Sequence, residues 1–361
     1  MAASKMILVL QLTIGLSFAF GIDCSAYTCK TPDQVWYPNQ CGFNNNITNT
    51  YYVQPCQDSS LECYPDQQHS TSYQFNYTCQ ETYVPPVNSY PGEWCKTDDD
   101  CAPGLSLTCQ NGICVGVSNG EYCSWSEQCN PGLRCTNNTC IPQLQIGESG
   151  CTWDYDCVNN AACNIISYSN PSQNTCYGFH SFKVHDEVGE CYSGFHTLCQ
   201  YYYCAQNSDG KSYCTDLFYT LQGPGSQCDV NGRGCYSNKD SFFTPPYSIE
   251  GECDCGLNSE GNSYCEVLPG DAPNQQWLNI FNEWVNSPEL LNCNTVKRFD
   301  SNCVQTYWSS KQYNAFVYYN LQSSLYNRLV GIEDCVLNAF AENYVQARNA
   351  FNNSNVEAVA F

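Results

Sequence analysis

The sequence predicts a small disulfide-rich protein: tandem cystine-stapled β-hairpin and loop repeats in an elongated array, followed by a C-terminal α-helical subdomain. Three observations predict it. The chain of 361 residues holds 30 cysteines, an even number, dense enough to read as a disulfide framework in an exported protein. One phrase is stated twice: Gly92-Glu93-Trp94-Cys95, Cys101, Pro103-Gly104-Leu105, Cys109 and Asn111-Gly112-Ile113-Cys114, then Gly120-Glu121-Tyr122-Cys123, Cys129, Pro131-Gly132-Leu133, Cys135 and Asn137-Asn138-Thr139-Cys140. From Asp271 onward glycine nearly vanishes and apolar residues recur at helical spacing.

Residues 1–21 read as a signal peptide. Lys5 supplies the charged start, Met6 to Phe20 is apolar, and Ala19-Phe20-Gly21 places small residues at a cleavage site. The run is shorter than the roughly 20 residues that span a bilayer. No second long apolar run follows, and residues 352–361 lack a lipid-anchor tail. The expectation is a secreted, extracellular product with no membrane insertion after cleavage. The net charge of −22 argues against nucleic acid and anionic lipid, which attract clustered Lys and Arg.

Residues 22–91 carry six cysteines, Cys24, Cys29, Cys41, Cys56, Cys63 and Cys79, at irregular spacings, and read as an N-terminal cysteine-rich cap. It closes on Pro85-Pro86 and Pro91, which favour an extended link. Residues 92–146 hold the two tandem four-cysteine repeats. A third repeat, 147–190, keeps the first gaps with Cys151, Cys157 and Cys163 and lengthens the last to Cys176.

The fourth and fifth repeats, 191–270, are divergent but share a phrase, Cys204 to Cys214 and Cys255 to Cys265. Asp209-Gly210 and Glu260-Gly261 sit at the midpoints as two-residue turns, so each phrase reads as a hairpin with a cysteine at either end. Cys191 and Cys199 complete the fourth unit. Cys228, Cys235, Cys253, Cys255 and Cys265 give the fifth an odd count. If the earlier units are closed, one bridge must reach the tail cysteines Cys293, Cys303 and Cys335, or another molecule, and the expectation is a bond to Cys293. Pairing within a four-cysteine unit stays open among three connectivities.

Residues 271–361 read as about three packed helices. Trp277, Ile280, Phe281, Trp284 and Val285 form one stripe, with Asp271 as N-cap and Pro273 in the first turn. Tyr313, Phe316, Val317, Leu321 and Leu325 form a second, and Ile332, Val336, Leu337, Phe340, Tyr344 and Ala347 a third.

A unit of some 25 residues buries too little apolar surface to offset an ordering cost of about 1–2 kcal/mol per residue. Two bridges per unit, at about 2–4 kcal/mol each, supply the difference. Each unit is then expected to touch chiefly its neighbours, with Trp94 or Tyr122 packing onto the next.

The spacing of Gly92 to Cys140, continued less closely to Cys163, resembles the N-terminal cysteine-rich region of Dickkopf-type secreted proteins. The Asn-, Gln- and Tyr-rich setting resembles the cysteine-rich exported proteins of ciliated protists. The resemblance covers under a quarter of the chain. The adjacent double cysteine of the Dickkopf repeat is missing, and so is the second domain through which Dickkopf proteins antagonise a signalling co-receptor. The resemblance implies a cystine-knot style of fold and carries over no signalling role and no binding residue.

The histidines are His69, His180, His185 and His196. His180, His185 and Asp186 with His196 form the best metal set in type, but two histidines and a carboxylate on a loop are more often solvated surface, and the Cys-x2-Cys knuckles of zinc modules are missing. Gly147-Glu148-Ser149-Gly150 superficially matches a serine-nucleophile turn, yet it occupies the repeated Gly-Glu position. Asp229, Asn231 and Asp240 partly match a calcium loop into which Arg233 and Cys235 intrude. Asp98-Asp99-Asp100 and Asp154 with Asp156 are acidic loops with weak calcium potential. No cofactor, metal or catalytic residue is expected. Four sequons, at Asn46, Asn76, Asn137 and Asn352, predict glycosylation of an exported chain.

These readings favour a secreted, glycosylated, non-enzymatic structural or interaction protein of the cell surface, extracellular matrix, secretory granule or an extracellular fibre, with a protein or glycan partner or self-assembly. The alternatives are a soluble ligand-binding or protease-inhibitor module, and an enzyme housed in residues 270–361.

Overall fold

The computed structural model describes residues 24–30, 36, 38–45, 47–58, 61–66, 74–81, 88–191, 197–229 and 234–356. Residues 1–21, expected above to be a signal peptide, lie outside them. All 30 cysteines are paired within the chain, in fifteen bridges with no free thiol. Among the described residues no helix is long and apolar enough to cross a membrane.

The N-terminal segment forms a five-stranded sheet of β1 (Ala26–Cys29), β2 (Gln40–Asn45), β3 (Thr50–Val53), β4 (Leu61–Asp66) and β5 (Gln74–Glu81). Its order is β1-β3-β2-β5-β4, with β1 parallel to β3 and the other pairs antiparallel.

The tandem repeats each give one small hairpin: β6 (Thr108–Gln110) with β7 (Ile113–Val115), β8 (Leu133–Thr136) with β9 (Thr139–Pro142), and β10 (Ala161–Asn164) with β11 (Thr175–Gly178). In the fourth unit β12 (Glu187–Val188) pairs with β14 (Ser212–Cys214), which also pairs with β13 (Cys204–Gln206). The fifth adds β15 (Gln227–Cys228), β16 (Cys235–Tyr236), β17 (Glu250–Gly251), β18 (Cys253–Cys255) and β19 (Ser263–Cys265).

One connectivity serves every unit. The third and fourth cysteines oppose each other across the hairpin, as Cys109 opposes Cys114 and Cys135 opposes Cys140. They bond backwards instead of to each other. Cys109 reaches Cys95 and Cys114 reaches Cys101, and the same first-to-third, second-to-fourth pattern holds in the other tandem units. It holds in the N-terminal sheet too, as Cys41–Cys63 and Cys56–Cys79, with Cys63 opposite Cys79 in the β4–β5 pair. The irregular cap is thus a sixth instance of the motif. The units' cores are largely their own sulfurs; that of the first is Cys95, Cys101, Cys114, Ala102 and Leu107.

The acidic loops are part of this frame. Just before the second cysteine, residues 98–100, 126–128 and 154–156 each make a 3-10 turn. The first side chain of the turn accepts the third cysteine's N–H: Asp98 from Cys109 at 2.6 Å, Ser126 from Cys135 at 3.0 Å, Asp154 from Cys163 at 3.0 Å. The third accepts two amides that open the turn, as Asp100 does from Lys96 and Thr97. These hydrogen bonds, Thr97's first, hold the Asp100 carboxyl below its ordinary range.

The fifth hairpin is shifted from its expected place. Gly210 and Gly261 take positive φ, at 82° and 68°, but the expected two-residue turns are corrected to longer loops, between Gln206 and Ser212 and between Cys255 and Ser263. But the residue facing Cys265 is Cys253, not Cys255. Cys255, the odd cysteine, bonds Cys24. The expected Cys293 bridge is replaced by a local one, Cys293–Cys303, and Cys335 bonds Cys29. The parity argument assumed a closed cap, and the cap is open by two cysteines.

The tail contains α1 (Ala272–Val285), α2 (Ser301–Tyr307), α3 (Ser310–Leu325), α4 (Asp334–Phe340) and α5 (Glu342–Val356). Pro273 opens α1, where its missing N–H costs nothing. Asp271 holds the N-cap position without capping; its carboxylate accepts from Thr220 N, Thr220 Oγ1 and Leu268 N instead. The third stripe is cut at Ala341, whose φ of −134° ends α4. The main core joins Trp284, Val285, Leu290, Cys293, Cys303, Val304, Trp308 and Phe316. A second joins Val53 of the sheet, Leu257 of the fifth unit and Val336 of α4.

Candidate functional site: an exposed aromatic seam

The array does not stand free, and its units do more than touch their neighbours. The connector between α1 and α2, together with α2 itself, runs under the first three. Tyr307 donates its hydroxyl to Gly92 O, and Trp94 N donates to Thr306 Oγ1 at 3.2 Å. Asn294, fully buried, donates its amide to the carbonyls of Glu127 and Cys129, each at 3.1 Å, and to that of Ser126. Asn159 does the reverse, donating from the third unit to Leu290 O and Cys293 O at 2.9 and 2.8 Å. Thr295 Oγ1 donates to Tyr155 O, and Arg298 to Asp154 O. One segment, residues 290–307, therefore underlies the 3-10 turns of the second and third units and the lead-in of the first.

Four large aromatics stand exposed along this seam: Trp94 at 53%, Tyr122 at 71%, Trp125 at 67% and Trp153 at 44%. Two positions of the repeat generate them. Trp94 and Tyr122 precede the first cysteine and bridge to Ile113 and Thr139. Alternation along extended backbone turns the buried cysteine inward and the aromatic outward. Trp125 and Trp153 precede the 3-10 turns in extended conformation, at φ −143° and −137°. The expectation that Trp94 or Tyr122 packs onto the next unit is corrected: the gap between units is filled by backbone. Ser89, Val117, Leu144 and Phe182 each make a parallel bridge to the second cysteine of the unit they lead into, and at Gly116 a Cβ would lie 2.2 Å from Gln128 O.

Around the aromatics the charge is negative. Between residues 88 and 178 the chain has nine acidic residues, at 93, 98, 99, 100, 121, 127, 148, 154 and 156, of which Glu93 is buried and uncharged, and two basic ones, Lys96 and Arg134, to which the underlying segment adds Lys297 and Arg298. Arg134 is already paired with Asp156 at 3.3 Å. Lys96 Nζ lies over the Trp94 ring at 5.4 Å. Trp153 stacks on Tyr155 at 6.1 Å.

Beneath the seam lies Glu93. Each lead-in acid accepts the N–H three residues earlier: Glu93 from Tyr90, Glu121 from Ser118, Glu148 from Gln145 and Asp186 from Lys183. His185-Asp186 thus stands where the first three units have Gly-Glu, with His185 at φ 68° against 95°, 87° and 90° for Gly92, Gly120 and Gly147. Glu121 and Glu148 are exposed, whereas Glu93, covered by the tail, is fully buried and its Oε1 has no hydrogen-bond partner. Burial, reinforced by the nearby Asp300, pushes its carboxyl up to about 8.

The other candidates fall elsewhere. Half-buried His180 meets Tyr202 edge-on at 4.2 Å, and desolvation lowers its imidazole to about 4. His185 pairs with Asp240 at 3.1 Å and stacks on Phe242, so the two are engaged separately; His69 and His196 lie outside the described residues. Ser149 Oγ bonds Thr175 Oγ1 at 2.9 Å within the repeated lead-in. Asn231 and Arg233 of the calcium-like loop lie outside the described residues, and Asp240 accepts from Asp216 N and Phe242 N.

Of the sequons, Asn46 lies outside the described residues. Asn137 is exposed at the β8–β9 tip, and Asn352 is exposed on α5. Asn76 is 5% exposed within β5, its amide oxygen accepting from Gln40. The reading of the sequence missed Trp125, Trp153, Asn159 and Asn294. The first two had a signal, an aromatic directly before each of two aligned turns; the asparagines had none.

No family model, curated protein or solved structure matches the chain.

Proposed function

We propose that this protein is a secreted, non-enzymatic interaction protein of an extracellular setting, a covalently closed scaffold that offers the aromatic seam to a partner held without covalent bonds. The observation that carries the reading is the combination of complete internal pairing of thirty cysteines with four large aromatics left exposed at two repeating positions. Complete pairing leaves no thiol for a nucleophile or for linkage between molecules, which favours a discrete binder over a disulfide-linked fibre. Exposed Trp and Tyr contribute large contact area at low side-chain entropy cost. Extensive disulfides fit an oxidising compartment, and glycosylation at Asn137 belongs to the same reading. The likeness to Dickkopf-type repeats contributes a style of fold and no partner.

The test is non-reducing mass spectrometry and cross-linking on protein purified from its native secretion. The expected result is a chain with all bridges internal, cross-linked to a partner through peptides spanning residues 94–153. Covalent multimers, or cross-links confined to the tail, overturn it.

A further inference from the structure

The distribution of cations identifies the class of partner. In several places this chain seats a cation of its own on an aromatic face: Lys96 on Trp94 at 5.4 Å, Lys297 on Tyr90 at 4.7 Å, Arg298 on Phe179 and Phe299 at 5.3 and 5.1 Å, and Arg348 on Tyr344 at 5.8 Å. Trp125, Tyr122 and Trp153 have no such cation among the described residues, although they are exposed at 67%, 71% and 44%.

Each also has an acid close to it in the sequence. Glu121 precedes Tyr122, Glu127 follows Trp125 by two residues, and Asp154 follows Trp153. Glu127 is close enough to perturb both Tyr155 of the third unit and Lys297 of the tail, so the second and third turns share one electrostatic neighbourhood. Asp154 accepts its structural hydrogen bond from Cys163 N. An aromatic face beside a carboxylate is the arrangement that receives a lysine or arginine side chain, the ring taking the cation's face and the carboxylate its N–H groups.

Resting on the interaction-protein reading above, we propose that the seam formed by Tyr122, Trp125 and Trp153 binds a cationic polypeptide, seating its Lys and Arg side chains on the open rings. Lys96 on Trp94 is the same contact made within the chain. The net charge of −22 adds long-range attraction, which speeds encounter more than it strengthens the complex.

The experiment uses the full disulfide-bonded chain, titrated at physiological salt with a soluble peptide alternating arginine and lysine with serine. Parallel titrations use a glutamate-for-cation version of that peptide and a neutral chitin oligosaccharide, with light scattering on the protein alone. The Trp125→Ala/Trp153→Ala variant removes two exposed rings without changing net charge. The expected result is binding of the cationic peptide alone, weakened about tenfold or more in the variant. Equal binding by the variant overturns the proposal, because charge alone then explains it. Preference for the oligosaccharide, or self-association lost in the variant, also overturns it while leaving the interaction-protein reading intact. Binding of none of the probes, with cross-links at residues 94–153 still found in the native secretion, overturns only the partner class; their joint absence overturns both.

Discussion

Cys29 is bonded to Cys335, 306 residues away, and that bridge together with Cys24–Cys255 fastens the start of the described chain to both the last repeat and the helical tail. Beside it Cys29 N donates to Glu333 at 3.1 Å and Tyr27 N to Asn258 O at 2.8 Å, so β1 is held by backbone as well as by sulfur.

The double variant Cys29→Ser/Cys335→Ser is therefore expected to fold. With Cys24–Cys255 intact, the loop it reopens is much shorter than the sequence separation. A loss of about 2–4 kcal/mol is expected, read as a lowered thermal midpoint, with α4 gaining faster amide exchange. An unchanged midpoint would show that backbone and packing alone hold the segment.

Gly92 and Gly120 occupy the same position in successive repeats, with φ of 95° and 87°. A Cβ on Gly92 would lie 2.1 Å from Asn292 O, whereas one on Gly120 meets nothing within 4 Å. Gly120→Ala should cost only the left-handed backbone term, about 1–2 kcal/mol. Gly92→Ala should cost clearly more, because it must push the first repeat off the tail. Equal losses in denaturant melts would rule out that contact.

Glu93 sets a pH dependence whose sign follows from its proton. The folded protein holds that proton up to about pH 8, while the unfolded chain releases it near the ordinary 4.5. Between those values the unfolded state binds fewer protons, so stability falls as pH rises, by up to about 1.4 kcal/mol per pH unit, and levels off above pH 8. Glu93→Gln keeps an acceptor for Tyr90 N and carries no charge. Its stability curve should be flatter across that window and higher at its alkaline end; a variant curve parallel to wild type would falsify the assignment.

Asn294→Ala removes the side-chain donor to the carbonyls of Glu127 and Cys129, and Asn159→Ala that to Cys293 O, while Leu290 O keeps its bond from Cys293 N. Losses of about 1–3 kcal/mol are expected from each, measured by chemical unfolding. Because they join different repeats to the same connector, the double variant tests whether the losses add.

Glycan mapping of the secreted protein should find Asn137 occupied and Asn76 bare, following their exposure at a hairpin tip and burial in a strand. A glycan at Asn76 would mean that β5 packs differently from the arrangement described.

What was legible in the sequence was local. The Gly-Glu lead-ins, the five-residue gaps, the positive-φ glycines at 210 and 261 and the α1 stripe around Trp284 all express short-range rules of turn geometry and helical period. The pairing of Cys109 with Cys95 was not legible, since four cysteines admit three connectivities and the choice depends on a 3-10 turn set by Asp98. The partners of Cys24, Cys255, Cys29 and Cys335 lie hundreds of residues apart, and parity alone sent the odd cysteine to Cys293. The acidic triplet at 98–100 carried no mark separating a solvated loop from a hydrogen-bonded frame. The seam was half legible: Trp94 and Tyr122 stood out by position, but the bonds from Asn294 and Thr295 to the turns that follow Trp125 and Trp153 had no local signal.

The two long bridges make the polypeptide a closed circuit. A protease that cuts any one peptide bond between Cys24 and Cys335 leaves both fragments joined, through Cys24–Cys255 or through Cys29–Cys335. Shedding a piece of this region takes at least two cuts or the reduction of a bridge, whereas the stretch after Cys335, including α5, is released by one. In a protease-rich surrounding the molecule wears from its C-terminal end, and the repeats are the last part to be lost.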